Sequence, residues 1–146
     1  MKNKQITLTF IKPYAFDHRE EIFTIIRKAG FDIIQISEPS TLSKAKWEMF
    51  YAEHKGKDFF ENLVNFMCSG PIIAAILEKE NAIEDFRTLI GSTNPANAEK
   101  GTIRNLYGNA KMYAQGKPAN AIHGSDSIEN AHKEIEFLFP GFQVEE

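Results

Sequence analysis

Apolar residues recur with two different periods along the chain, and the switches between periods mark the predicted elements. Ile6, Leu8 and Phe10 share one face of a strand over residues 6–11, which Pro13 ends. Ile22, Ile25, Ile26 and Ala29 then repeat at helical spacing, between an Asp17/Glu20 capping-box pair and Gly30. Phe31 to Ser37 is β-branched and apolar, a second strand closed by Pro39. Trp47, Phe50, Tyr51 and His54 form the next helical stripe, interrupted at Gly56. Asp58 with Glu61 opens a further helix carrying Phe59, Phe60, Leu63, Val64, Phe66 and Met67. The unbroken run Ile72 to Leu77 reads as a buried strand. Asn81 with Glu84 caps a helix that turns Ile83, Phe86 and Ile90 inward and stops at Gly91. Residues 120–123 make a short strand. Asp126 with Glu129 caps a last helix with Ile128, Ala131, Ile135 and Leu138 inward.

Residues 92–119 lack this periodicity and are rich in Gly, Asn, Pro, Lys and Thr, which predicts a long functional loop. The element order has too few strands for a doubly wound sheet. It predicts an α+β fold, a small antiparallel sheet covered by helices in a split βαβ or ferredoxin-like arrangement. No repeat or linker divides residues 1–146, so one domain is expected.

Composition narrows the classes. Hydrophobic residues make up 42% and Phe occurs 12 times, enough for a core, so disorder is excluded as the main state. The net charge of −3 argues against a nucleic-acid scaffold but leaves room for a local basic pocket. One cysteine, Cys68, forbids an intrachain disulfide. The first residues do not read as a secretory signal, and no apolar run reaches the roughly 18 residues of a membrane span. A cytoplasmic setting without membrane contact is expected.

The segment from Asn120 to Ser127, NAIHGSDS, carries the most chemistry. It sets His123 at a strand end directly before a helix N-terminus. Imidazole is a good nucleophile near neutral pH, and a phosphorylated ring there would face backbone N–H groups and a helix dipole. Glu134, on that helix, is placed to reach back and orient the ring. A structural histidine in a turn fits the spacing equally well.

This octapeptide resembles the active-site signature of nucleoside diphosphate kinases. The resemblance continues through Ile11-Lys12-Pro13, Phe50 to His54, Phe59-Phe60 with Leu63, Phe66 to Pro71, Arg87, Gly91 to Pro95, Gly101 to Arg104 and Glu129 to Phe139. It implies a ferredoxin-like βαββαβ sandwich with a four-stranded antiparallel sheet. It implies transfer of the γ-phosphoryl group of a nucleoside triphosphate to a nucleoside diphosphate, by ping-pong through a phosphohistidine on His123, which maintains nucleotide pools. Arg87, Arg104 and Thr93 match phosphate-binding residues, and Lys12 and Tyr51 match residues flanking the transferred group. Lys12 and Asn120 match contacts to the sugar, Phe59 with Leu63 the base-stacking pair, and Ser125 with Glu134 the groups around the histidine. Mg²⁺ is expected on the nucleotide phosphates rather than in a protein cage. A homo-oligomer built from dimers, a tetramer or hexamer, is also implied.

Two departures from the family pattern stand out. Tyr14 to Arg19 is short and lacks the usual glycine turn, which predicts a slightly shifted helix start. The segment Asn105 to Ala119 is several residues longer than usual, which puts assembly and nucleotide preference in question. The given chain ends soon after Phe142, as in shorter members, so no long C-terminal tail is expected in the assembly.

Overall fold

A computed structural model describes residues 4–143. The strand β1 (Lys4–Ile11) runs through a 3₁₀ turn at Pro13–His18 into the helix α1 (Arg19–Lys28), and β2 (Asp32–Ile36) returns along the sheet. Two helices, α2 (Lys44–Phe50) and α3 (Phe60–Met67), lead to β3 (Ile73–Glu80). Next come α4 (Ala82–Ile90), α5 (Ile103–Tyr107) and α6 (Ala110–Ala114), then β4 (Ile122–Gly124) and α7 (Ile128–Leu138).

The strands form one sheet in the order β2-β3-β1-β4, with every pairing antiparallel. Both β3 and β1 therefore lie inside a split βαβ unit, as the ferredoxin-like expectation requires. Alternation along the central strands divides their side chains between two cores. Ile73, Ala75 and Leu77 face α1 and α4 through Ile22, Ile26, Phe86 and Ile90. Leu8, Phe10, Ala74 and Ile76 face α2, α3 and α7 through Trp47, Val64, Met67 and Ile135. Because both faces are covered, β3 is apolar over most of its length. No helix among the described residues is long and apolar enough to cross a membrane.

Several local expectations are corrected. Residues 92–119 are not a continuous loop, because α5, α6 and a 3₁₀ turn at Pro95–Asn97 lie within them. The Asp17/Glu20 pair caps nothing. Pro13 starts a 3₁₀ turn that absorbs Asp17, and α1 begins at Arg19 without a side-chain cap. Nor does Asp58 cap α3, whose N-cap position is Phe59. Asn81 does occupy the N-cap of α4, but in the left-handed region, and its amide donates to Asp85 Oδ1 instead. The cap of α7 is Ser127, which accepts from Asn130 N, while Asp126 takes the Asn130 side chain. Ile128 is 49% exposed rather than inward.

Candidate active site

The pairing of β1 with β4 puts Phe10 opposite His123. The Phe10 ring stacks on the imidazole at 4.7 Å and 8°, and Phe50 meets it edge-on at 5.7 Å. One stacked ring and one edge-on ring thus fix the plane of the histidine ring. Its Nε2 lies 2.8 Å from Glu134 Oε1, and Ser125 Oγ donates to the same oxygen at 2.6 Å. Ser125 in turn accepts from Leu8 N, so the central strand anchors the cluster. A carboxylate at Nε2 selects the tautomer with its hydrogen there and leaves the Nδ1 lone pair free.

His123 opens onto a cavity of about 500 Å³, a volume suited to a small ligand. Lys12, Tyr51, Phe59, Leu63, Thr93, Arg104 and Asn120, singled out in the sequence, share its wall. Ser125 and Glu134 stand behind the histidine. Arg87 is not on this wall. It is exposed on α4 and lines a neighbouring cavity with Gly91, Ser92 and Thr102, close enough for its charge to act on Arg104.

Each polar group is positioned by backbone. Lys12 directly follows β1, is 6% exposed, and donates from Nζ to Pro118 O at 3.0 Å. Burial, then the neighbouring Arg104 charge, lowers its pKa to about 7. Arg104 lies in the first turn of α5, which Thr102 caps. Its guanidinium donates to Gly91 O and Ile122 O, while the buried Nε has no partner among the described residues. Burial first, and the Arg87 charge second, lower the Arg104 pKa to about 10. Gly91 sits at φ +91, and a Cβ there would lie 2.5 Å from Thr102 Oγ1. Glycine therefore lets the end of α4 approach the cap of α5, where the Gly91 carbonyl reaches Arg104.

Asn120 Nδ2 donates to Thr93 O at 3.0 Å, whereas its Oδ1 is buried without a partner among the described residues. Burial, then the Glu134 carboxylate, raises the Tyr51 pKa well above the ordinary phenol value, so the hydroxyl remains a donor. Phe59 is 46% exposed, against the usual fate of a helix-end aromatic. Leu63 is buried beside it.

Six wall residues have no counterpart among the predicted site residues: His54, Tyr113, Gly116, Lys117, Pro118 and Ile122. His54 was legible as part of the Trp47–Tyr51 stripe. The others sit on the 92–119 segment, whose aperiodicity marks a functional loop without saying which of its side chains reach a cavity, or on the short strand. Among the wall residues Lys12, Arg104 and Lys117 are basic, and none is a carboxylate. Such a site takes an anion with a flat apolar end.

Residues 5–144 match the family model described as nucleoside diphosphate kinase. The chain is 46% identical over 140 residues to the nucleoside diphosphate kinase of Chlorobaculum tepidum, covering 94% of this chain and 95% of that protein. Against the Flavobacterium psychrophilum protein of the same name it is 49% identical over 137 residues, covering 92% and 94%. It is also 47% identical over 134 residues, 91% of its length, to thioredoxin domain-containing protein 6 of Xenopus laevis. It spans only 21% of that longer protein. A crystal structure of the Aquifex aeolicus nucleoside diphosphate kinase superposes with a TM-score of 0.86 at 37% identity, covering 95% of this chain and 97% of the other.

Proposed function

The chain belongs to the nucleoside diphosphate kinase family, and on that premise we propose that it moves the γ-phosphoryl group of a nucleoside triphosphate to a nucleoside diphosphate through His123. The observation that carries this reading is the imidazole held at Nε2 by Glu134, with Nδ1 free, on the wall of a cationic cavity. In the first half-reaction, His123 Nδ1 attacks the γ-phosphorus in line. The N–P bond forms as the bond to the β-phosphate oxygen breaks, and the nucleoside diphosphate leaves with that electron pair. The ring keeps its Nε2 hydrogen, and the Glu134 carboxylate balances the charge of the phosphorylated imidazole. In the second, a β-phosphate oxygen of the acceptor attacks the same phosphorus and restores the free histidine.

Lys12, Arg104 and the Tyr51 hydroxyl surround the position where charge spreads during transfer. Arg87 reinforces them from the rim. The unpartnered Asn120 Oδ1 accepts a sugar hydroxyl. The exposed Phe59 ring stacks on the base, and stacking tolerates any base. The wall residues include no carboxylate, so Mg²⁺ would be held by the nucleotide rather than by this wall, and would supply neutralisation of phosphate charge there. The protein works as a homo-oligomer built from dimers. A reducing cytoplasmic setting agrees with its free Cys68.

Incubation with a γ-labelled triphosphate tests the assignment. The wild type should hold acid-labile, alkali-stable phosphate, and His123→Ala should hold none. Equal labelling of His123→Ala would remove the histidine from the mechanism.

A further inference from the structure

The segment between Arg104 and Asn120 builds one wall of the cavity with Tyr113, Gly116, Lys117 and Pro118. It is tied down from behind. Tyr14 Oη lies within hydrogen-bonding distance of Tyr107 O and Ala119 O, at 3.0 and 2.7 Å, and so bridges the two ends of the segment. Lys12 Nζ holds Pro118 O, Asn109 N donates to Ala119 O, and the Asn109 side chain caps α6. Past α6, Gly116 N bonds Tyr113 O and Lys117 N bonds Met112 O, which brings the chain back towards the cavity. A wall fixed at so many points does not have to order when a ligand arrives.

Two of its side chains, Tyr113 and Lys117, are polar and share the cavity wall with Arg104 and His123. Lys117 is exposed on the wall, and among the described residues no carboxylate pairs with it. We propose that Tyr113 and Lys117 bind the polyphosphate of the nucleotide, the tyrosine as a hydroxyl donor beside Arg104 and the lysine as an added cation. This rests on the phosphotransfer reading for the identity of the ligand. It makes the extra length of residues 105–119 a device for nucleotide affinity.

Calorimetric titration of the full chain with ADP and with adenosine tests the proposal. Lys117→Ala should weaken ADP binding about three- to fivefold at low salt, and the difference should close at high salt. Tyr113→Phe should weaken it about three- to tenfold with little salt dependence. Adenosine binding should not change in either variant, and kcat should fall less than affinity. Lys111→Ala removes the same charge from the exposed side of α6 and should leave ADP binding as in wild type. The proposal is overturned if both site variants bind ADP like wild type. It is overturned equally if adenosine weakens as much as ADP, or if Lys111→Ala matches Lys117→Ala. Failure of the phosphotransfer reading would appear separately, as absence of label on wild-type His123.

Discussion

Lys12 holds its ammonium where burial disfavours charge, with Arg104 adding repulsion and one carbonyl, Pro118 O, accepting from it. The same environment that strains the charge makes it a strong partner for a phosphate, which arrives with the opposite charge. The pH consequence has a definite sign. The folded pKa of about 7 lies below the ordinary lysine value of 10.5, so the unfolded chain binds more protons between those limits. The ligand-free protein should therefore gain stability as pH rises above 7, on the order of a few kcal/mol over the full window. Denaturant melts at pH 7 and 9 should show the gain, and Lys12→Met should lose it. An equal gain in Lys12→Met would assign it to other groups. At this scale much was legible. The strand–histidine–helix order around His123 and the reach of Glu134 follow from spacing. The unpartnered Asn120 Oδ1 and the Tyr14 bridge do not, because each depends on atoms far apart in the chain.

Among the elements, the short strand β4 has the least freedom and the most to position. Its three residues pair only with β1, and Gly124 lies under α4. A Cβ at Gly124 would sit 2.9 Å from Phe86 Cδ2 and 3.1 Å from Ile90 Cδ1, both on fully buried side chains that cannot swing away. Gly124→Ala should cost about 1–3 kcal/mol by overpacking. It should also push β4 off the helix and loosen the stack of His123 on Phe10. Chemical denaturation measures the first effect and the rate of His123 labelling the second. A variant as stable and as fast as wild type would show that α4 yields freely. Longer elements were readable because a buried face repeats: β3 and the stripe of α1 are examples. Helix starts were not, since a capping-type residue near a start, such as Asp17 or Asp58, need not be the one whose oxygen meets the free N–H, and only geometry decides. At α7 the choice fell on Ser127 because Asn130 occupies Asp126. The helices α5 and α6 have five residues each, too few to show a period, and depend on their Thr102 and Asn109 caps.

For the molecule as a whole, the sheet ends at β2, which pairs only with β3 and leaves its outer edge unpaired. Ile34 and Ile36 on this edge are 43% and 40% exposed, beside Arg27 and Asp32 on the same shallow groove. An uncovered apolar edge invites association. A two-fold contact with a second copy is the closed way to cover it, because each edge supplies both what it presents and what it needs. Arg27 and Asp32 supply opposite charges for such self-pairing. The sequence contains these residues but does not reveal that β2 is an edge, because strand order is set by the crossovers and not by local pattern. Light scattering should give a mass at least twice that of the 16.6 kDa chain. The double variant Ile34→Lys, Ile36→Lys places like charges across the two-fold and should lower that mass to smaller species, while the His123 cluster on the opposite end of the sheet keeps its fold. A monomeric wild type would remove the assembly reading. An unchanged oligomer in the double variant would move the contact away from β2.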